Sequence, residues 1–188
     1  MSRIVVSEFI TVDGGIDSPG GEPGFDRAGW AFQFSRGPEG DKFKLDEVQK
    51  ADALLLGRKT YDGFAAVWPT VKDEAGFAEK MNSMPKYVLS STLTGPTWAN
   101  TTVLGSVDEI AKLRESGDDE LLVNGSGQLV RALGERGLVD EYRLMVFPTV
   151  LGGGEKLFGE TSTAAKLKLV DSQVVGTDGV IVLTYQAL

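Results

Sequence analysis

The 188-residue chain contains neither cysteine nor histidine. Without cysteine there can be no disulfide bond, no thiolate nucleophile and no thiolate metal ligand. Without histidine, a Ser-His-Asp triad, imidazole acid–base catalysis and histidine-bound zinc are excluded as well. Proton transfer must therefore use carboxylates, tyrosine, lysine or water. A metal site, which we do not expect, would have to be built from oxygen ligands.

Basic residues are fewer than acidic residues, 19 against 27, and the formal net charge is −8. A negatively charged protein repels polyanions at long range, so general nucleic-acid binding is not expected. A phosphorylated cofactor is compatible with this charge only if cations are concentrated at its site, because the wider field is screened beyond about 8 Å at physiological salt.

Long apolar runs are also missing. No stretch approaches the roughly 20 apolar residues that a membrane-spanning helix needs. The N-terminus runs directly into a strand-like pattern at 3–10, without the apolar core and cleavage site of a signal peptide. We therefore expect a cytoplasmic protein with no membrane partner.

Strand-like and helix-like segments alternate along the chain, interrupted by one long loop at 16–37 that is rich in glycine and proline. The predicted strands are 3–10, 53–56, 87–89, 120–124, 139–147, 166–176 and 180–187. The predicted helices are 38–51, 60–67, 73–83, 106–117 and 126–136. Pro38 suits a first helical position, and Gly117 is expected to end its helix as a left-handed cap. This alternation predicts one α/β domain over 1–188, a three-layer αβα fold with a mostly parallel sheet and antiparallel C-terminal strands.

Three predicted strand ends carry residues suited to an anionic ligand. Gly57-Arg58-Lys59-Thr60 opens a helix, where backbone N–H groups and two adjacent cations attract anions. Gly125-Ser126-Gly127-Gln128 follows the strand ELLVN, and its glycines permit close approach to a diphosphate, although the third glycine of the dinucleotide fingerprint is missing. Ser90-Ser91 ends a third strand. Ligands of open α/β sheets bind at the carboxyl ends of strands, but each segment also fits an ordinary turn.

As a set, these segments resemble the dihydrofolate reductases. The resemblance rests on Gly57-Arg58-Lys59-Thr60-Tyr61 and on 88–91, 106–109 and 123–127, which occur in the order and context of that superfamily. Residues 137–141 and 148–158 resemble more specifically the C-terminal reductase domain of the bifunctional riboflavin-biosynthesis deaminase-reductase, RibD. Stand-alone bacterial members of this superfamily also begin with a strand, an Asp-Gly pair and a long aromatic loop, as this chain does.

The resemblance implies NADPH as the cofactor. Arg58, Lys59 and Thr60 would face the 2′-phosphate and diphosphate, Ser90 and Ser91 would flank the 2′-phosphate, and the segment 125–128 would bind the diphosphate. It also implies a reductase whose closest label is 5-amino-6-(5-phosphoribosylamino)uracil reductase, with hydride transfer to an imine or carbonyl-like carbon. A dihydrofolate or pterin reductase, a non-catalytic nucleotide-binding protein and a binding module for another phosphorylated ligand are the alternatives.

Two aspartates are candidates for assisting proton transfer. An ungapped count from the Gly-Arg-Lys-Thr motif places Asp41 where dihydrofolate reductases carry an acid on the first helix. Riboflavin reductases have an Asp-Gly pair at the substrate pocket, which corresponds here to Asp13. Asp41 fits equally well as a first-turn helix acid, and Asp13 as a turn residue. We expect the apolar wall of the substrate pocket to come from three aromatic residues, Trp30, Phe32 and Phe34.

The C-terminal strands also bear on assembly. The strands predicted at 166–176 and 180–187 would leave an exposed sheet edge unless another chain covers it. Stand-alone relatives are often homodimers, and two-fold symmetry is the commonest closed arrangement. We therefore expect a homodimer that acts on a small-molecule substrate.

Overall fold

The computed structural model describes residues 1–159 and 164–188. The strands are β1 (Arg3–Thr11), β2 (Ala53–Gly57), β3 (Lys86–Leu89), β4 (Thr101–Leu104), β5 (Glu120–Val123), β6 (Glu141–Phe147), β7 (Leu167–Val175) and β8 (Val180–Ala187). The α-helices are α1 (Gly37–Lys50), α2 (Arg58–Val67), α3 (Phe77–Ser83), α4 (Val107–Ser116) and α5 (Gly127–Glu135). Short 3₁₀ helices cover Trp30–Gln33 and Trp68–Thr70.

Within the described residues, eight strands form one sheet in the order β4-β3-β2-β5-β1-β6-β8-β7. The strands from β4 to β6 in this order pair in parallel, whereas β8 runs antiparallel to both β6 and β7. The predicted mostly parallel sheet with an antiparallel C-terminal hairpin is therefore confirmed. Because the parallel strands point the same way, the segments that follow β1, β2, β3 and β5 meet at one edge of the sheet.

Side chains of the central strands alternate between two buried faces. On β1, Ile4 and Val6 pack with Leu129 of α5 and Ile110 of α4, while Val5 packs into the opposite cluster. That opposite cluster also contains buried residues of α1, α2 and α3, namely Val48, Tyr61 and Met81. Helices thus cover both faces of the sheet, which confirms the three-layer fold. Within the described residues, no helix has both the length and the apolar character needed to cross a membrane.

Two helix ends show how the sequence sets the boundaries. Pro38 lies in the first turn of α1, as predicted. The Ser106 hydroxyl accepts a hydrogen bond from the Glu109 N–H, 3.4 Å away, which caps α4. The predicted left-handed cap at Gly117 is wrong, because this residue is extended, with φ −110°. A Cβ atom on Gly117 would lie 2.4 Å from the Ser2 hydroxyl oxygen, so close packing against the N-terminus explains the glycine.

A third apolar cluster anchors the long segment 16–37 to the sheet, near Phe147 at the end of β6. Trp30 is buried at 2% exposure, and its ring centre lies 5.4 Å from that of Phe147 on β6. Phe34 packs on the same ring at 6.2 Å. The Trp30 indole N–H also donates to the Asp17 carbonyl oxygen, 2.8 Å away. The segment is therefore fixed to the sheet by buried aromatic contacts, although it contains little regular structure.

Candidate functional site

A cavity of about 780 Å³ opens where β1 and β5 separate at the carboxyl edge of the sheet. β1 pairs with β5 only as far as Val6, but with β6 as far as Thr11, so the second half of β1 is uncovered on the β5 side. The cavity is walled by this part of β1, by the turns after β2 and β5, by α1 and by the segment 16–22. This is the position at which open α/β sheets bind ligands.

The turns after β2 and β5 are packed against each other. The Gly57 N–H donates to the Gly125 carbonyl oxygen, 3.1 Å away. A Cβ atom on Gly57 would lie only 2.2 Å from the Ser126 hydroxyl oxygen, so only glycine fits at this position. The Gly125–Ser126 peptide bond is cis. The segments 57–60 and 125–128, which the sequence analysis identified separately, thus form one structural unit in which Gly57 packs directly against Ser126.

The glycines of the second turn are required by packing within the protein. Gly125 has φ +100°, and its Cβ atom would lie 2.8 Å from the Thr60 hydroxyl oxygen. A Cβ atom on Gly127 would lie 2.6 Å from the Ile16 side chain and 2.7 Å from a Glu155 carboxylate oxygen. The tight-turn interpretation therefore has direct support. The same absence of side chains leaves the backbone of this turn open to the cavity.

The predicted cofactor residues do not all lie at one site. Five line the main cavity: Lys59, Thr60, Gly125, Ser126 and Gly127. Arg58 instead lines a smaller depression of about 330 Å³ on the other side of α2, which shares Ala66 with the main cavity. Ser90, Ser91 and Gln128 lie outside the lining of both. The Ser90 hydroxyl accepts the N–H groups of Thr92 and Leu93 and so ends its strand as an ordinary turn residue.

Existing ion pairs hold both basic residues of the motif. The Arg58 Nε lies 2.9 Å from both carboxylate oxygens of Asp62, and its guanidinium also reaches the Thr92 hydroxyl at 3.4 Å. The Lys59 ammonium lies 3.8 Å from Asp17 and is 73% exposed. Arg58 is thus held in place by Asp62 and Thr92, whereas the exposed Lys59 ammonium has a longer contact, 3.8 Å, with Asp17.

Asp41 lies outside the cavity, which corrects the expectation from the ungapped count. Its carboxylate is 66% exposed and accepts a hydrogen bond from the Arg36 guanidinium at 2.6 Å. The residues of α1 that line the cavity are Lys44 and Val48, further along the helix. The count fails because α1 presents its later turns to the cavity.

Asp13 is also outside the cavity lining, and its carboxylate is fully engaged. It accepts hydrogen bonds from the Lys156 ammonium and the Thr11 hydroxyl, both at 2.6 Å, and from the N–H groups of Leu151 and Gly152. These bonds, above all the one from Lys156, hold the pKa of Asp13 well below its usual range. An ionised carboxylate with four donors is arranged to fasten a loop and has no proton to supply near neutral pH.

The aromatic wall is also different from the prediction. Phe32 lines the cavity and is 77% exposed. Trp30 and Phe34 instead belong to the cluster around Phe147. They anchor the segment 16–37 to the core, because the 3₁₀ turn at Trp30–Gln33 buries Trp30 and leaves Phe32 exposed.

Glu8, in the middle of β1, is the cavity residue that the sequence analysis missed. The residue is half-buried because it opens on the cavity, but its Oε1 atom is shielded from solvent. Within 1–159 and 164–188, Oε1 has no hydrogen-bond partner. Burial raises the pKa of Glu8 from 4.5 to about 8, with Lys44 opposing the shift and Glu155 and Glu47 adding to it. Glu8 is therefore largely protonated at neutral pH.

Lys44 is held by other groups on the opposite side of β1. Its ammonium pairs with Glu47 and lies 2.9 Å from the Ser7 hydroxyl, which in turn donates to Glu47 at 2.8 Å. It also lies 5.2 Å from the centre of the Phe9 ring. This ammonium is neutralised mainly by Glu47, so Glu8 is left without a close ion pair.

In the part of the chain that the structure describes, no group of three or more acidic side chains is placed to hold a metal.

The position of Glu8 in its strand is a signal that could have identified it. Glu8 has the same parity on β1 as Ile4, Val6 and Ile10, which all belong to one apolar cluster. A carboxylate at a core-facing position of a central strand is costly unless it is paired, neutral or functional.

Comparisons with known proteins identify related sequences and structures. A family model described as the RibD C-terminal domain matches residues 2–181. The uncharacterised protein YyaP of Bacillus subtilis (strain 168) is 28% identical over 190 residues, covering 97% of this chain and 94% of YyaP. A crystal structure of a putative riboflavin biosynthesis protein from Shewanella sp. PV-4 superposes with a TM-score of 0.77 at 26% identity, covering 99% of both chains.

A more distant structure identifies the fold. Dihydrofolate reductase from Enterococcus faecalis, complexed with NADP(H) and RAB-propyl, superposes with a TM-score of 0.63 at 16% identity, covering 98% of this chain and 96% of the reductase. The predicted dihydrofolate-reductase-like fold is therefore confirmed. From the family match and the fold together, the chain belongs to the RibD C-terminal domain family.

Proposed function

We propose that the protein is a reductase that binds NADPH in the cavity and reduces an imine or carbonyl-like carbon of a pyrimidine- or pterin-like substrate. Membership of the RibD C-terminal domain family supports a reductase. The observation that carries the choice of cofactor is the convergence of two helix N-termini and the exposed Lys59 on one cavity. The closest label for the activity is 5-amino-6-(5-phosphoribosylamino)uracil reductase.

The residues of the cavity fit a diphosphate. Helices α2 and α5 begin at the turns that line it, and neither N-cap residue, Gly57 or Ser126, makes a side-chain capping bond. The first-turn N–H groups of both helices are therefore available to an anion, which the helix dipoles also favour. Lys59 adds a positive charge at the same place. In a protein of net charge −8, such local donors are what a phosphorylated cofactor needs.

The size and shape of the cavity fit the same cofactor. A volume of about 780 Å³ lies within the usual range of roughly 300–1,000 Å³ for small-molecule sites. The depression beside α2 presents Arg58, whose guanidinium is held in place by Asp62 and Thr92. A fixed guanidinium is well suited to a phosphate monoester, so this depression is the proposed place of the adenosine 2′-phosphate.

When bound, NADPH would supply the hydride, which is the difficult part of the chemistry. The protein would hold the cofactor through the two turns and position the substrate against β1. Lys44 and Arg36 also line the cavity, but each is already paired with a carboxylate, that of Glu47 and of Asp41 respectively. The preference for a phosphoribosyl-pyrimidine over folate as the substrate class therefore rests on the family match.

The test is a pair of fluorescence titrations with NADPH and NADH. A charge-assisted contact contributes about 1.5–3 kcal/mol, so we expect NADPH to bind roughly tenfold or more tightly. The variant Arg58→Ala should lose this preference, whereas Lys72→Ala, which removes an exposed cation from the loop before α3, should retain it. Equal affinities for the two cofactors in the unmodified protein would contradict the assignment.

The substrate is tested by following NADPH absorbance with pyrimidine and pterin substrates offered separately. Oxidation with the phosphoribosyl-pyrimidine alone would support the proposed activity. Oxidation with a dihydropterin alone would assign a pterin reductase. Tight NADPH binding without oxidation by either class would favour a nucleotide-binding protein on the same fold.

A further inference from the structure

Glu8 presents a carboxyl group to the cavity at the place where the two turns converge. Its Oε1 atom lies 3.5 Å from the position that a Cβ atom on Gly125 would occupy, and it has no partner among the described residues. The cavity wall on either side contains Thr60 from α2 and Asn124, whose side chain is fixed by donating to the Ser7 carbonyl oxygen at 3.1 Å. The Glu8 side chain thus lines the cavity beside a fixed backbone, with its Oε1 atom buried and unpartnered among the described residues.

Burial is the main reason that Glu8 favours its neutral form, and the charged groups around it act in both directions. From α1, Lys44 lowers its pKa and Glu47 raises it, and from the segment after β6, Glu155 raises it. Lys44 is already paired with Glu47, and Glu155 is paired with Arg131 at 2.9 Å. Asp17 and Lys59, which also line the cavity, pair with each other at 3.8 Å, and the cavity residue Arg36 pairs with Asp41. Glu8 is thus left as an uncharged acid in an apolar wall.

We propose that Glu8 is the general acid of the reaction and donates its proton to the nitrogen or oxygen atom of the substrate double bond. The inference rests on the proposed function. As the carbon accepts the hydride and a C–H bond forms, the electron pair of the double bond moves to the heteroatom. The heteroatom takes the Glu8 proton, and the nicotinamide is left oxidised. The Glu8 carboxylate then regains a proton from water at the open side of the cavity.

Glu8 differs from the two predicted acids, Asp13 and Asp41, both in its position and in its protonation state. Asp13 fastens the loop after β6, and Asp41 forms a surface ion pair. Neither lines the cavity, whereas Glu8 lies on its floor. An acid that works near neutral pH should have a pKa close to the working pH, and burial brings Glu8 to about 8.

The first arm of the test compares Glu8→Gln with Glu115→Gln, which changes an exposed glutamate of α4. Glutamine has the shape of the neutral acid but no proton to give. We expect Glu8→Gln to lower kcat by roughly 10²-fold or more, with the Kd for NADPH within about twofold of the unmodified protein. Glu8→Asp should recover part of the rate, because the acid is retained. Glu115→Gln should behave as the unmodified protein.

The second arm uses the pH dependence of two quantities. In the unmodified protein, kcat should fall roughly tenfold per pH unit above about 8, as the Glu8 proton is lost, and this fall should be absent from Glu8→Gln.

The pH dependence of folding stability provides a second readout, which needs no substrate. A carboxyl whose folded pKa is raised contributes stability that is complete below its unfolded value of 4.5 and is lost as pH rises through about 8. Urea unfolding from pH 5 to 9 should therefore show the unmodified protein losing stability relative to Glu8→Gln.

The possible failures are distinguishable. If Glu8→Gln turns over at the normal rate, or if its stability difference from the unmodified protein does not vary with pH, the inference is overturned while the proposed reductase stands. If Glu8→Gln does not fold, the pH profile of kcat in the unmodified protein decides the question, and a kcat that does not fall above about pH 8 overturns the inference. If the unmodified protein neither binds NADPH nor oxidises it with any substrate, the proposed function is overturned, and the role of Glu8 with it.

Discussion

The Lys156 ammonium lies 2.6 Å from the Asp13 carboxylate and donates a second hydrogen bond to the Asp13 carbonyl oxygen at 2.9 Å. The same carboxylate accepts the N–H groups of Leu151 and Gly152. These bonds join the end of β1 to the glycine-rich loop that follows β6. Asp13 therefore organises the loop beside the cavity.

Replacing Asp13 by Asn should lower the melting temperature, because the loop loses its ion pair and Leu151 and Gly152 lose an ionised acceptor. Since the pKa of Asp13 is lowered in the folded protein, its contribution is complete above the ordinary value of 3.8 and is lost as pH falls below it. Thermal unfolding at pH 7 and at pH 3 should show a smaller deficit for Asp13→Asn at pH 3. Asp41→Asn is the control, because an exposed ion pair contributes less than about 1 kcal/mol.

Lys86 should be important for stability. It is fully buried, and its ammonium donates to the carbonyl oxygens of Asn82, Met84 and Ala99 and lies 4.4 Å from the Trp98 ring centre. Lys86→Met keeps the apolar stem but leaves buried carbonyl groups without a donor. We expect a loss of about 1–3 kcal/mol in urea unfolding at pH 7. Lys112→Met, on the exposed side of α4, should be close to neutral.

The pH dependence of the Lys86 effect follows from its burial. Burial lowers the pKa of Lys86 from 10.5 to about 8, since the charged form is poorly solvated. Between these values the unfolded chain binds more protons, so the Lys86 contribution to stability should rise with pH. The difference between the unmodified protein and Lys86→Met should therefore grow from pH 8 to pH 10. A difference that shrinks over this interval would contradict the assignment.

We predict that the protein is a two-fold homodimer that associates through β7. Among the described residues, β7 pairs only with β8, so one edge of the strand carries unpaired backbone groups. Apolar side chains are exposed along it, with Val174 at 66% and Leu169 at 49%. Light scattering should give twice the 20.1 kDa mass of one chain.

A charged substitution on β7 tests the position of the dimer interface. Val174→Lys should shift the protein towards the mass of a single chain, because a lysine there would be buried against the second copy. Val150→Lys is the matched control, since Val150 is equally exposed, at 68%, in the loop after β6. A single-chain mass for the unmodified protein would refute the prediction, and a dimer that survives Val174→Lys would place the interface elsewhere.

Gly57→Ala should destabilise the protein for a steric reason alone. The backbone at Gly57 has φ −76°, which alanine adopts freely, but its Cβ atom would lie 2.2 Å from the Ser126 hydroxyl oxygen. Overpacking of this kind costs about 1–3 kcal/mol. Removing the obstructing side chain with Ser126→Gly should recover part of the loss, so the two changes should be non-additive in urea unfolding. Additive effects would mean that the two turns do not constrain each other.

The fold and the strand-end turns could be predicted because local signals specify them. Alternating apolar runs predict the parallel sheet, and glycines with adjacent cations mark the turns that line the cavity. The strand β4 (Thr101–Leu104) was not predicted, because its four residues, none of them buried, carry no clear pattern and its place depends on pairing with β3.

The sequence marks the acid at the cavity only by a charged residue at a core-facing position of β1, and it does not predict the protonation state. The neutral state of Glu8 comes mainly from burial in the folded protein, with Lys44 and Glu47, distant in the chain, acting in opposite directions. Counting along the sequence selected Asp41 because it assumes that a helix presents the same turn to the cavity in every relative. Tertiary packing, which sets the placement of α1, decides this instead.

The contact between Gly57 and Ser126 has an evolutionary consequence. Positions 57 and 126 should covary among relatives, with a side chain at 57 tolerated only where residue 126 has lost its own or where the turn after β5 has a different path. Grafting one of the two turns from a relative to alter cofactor specificity should therefore fail where grafting both succeeds. The turns after β2 and β5, although almost seventy residues apart in the chain, would be inherited and exchanged as a single module.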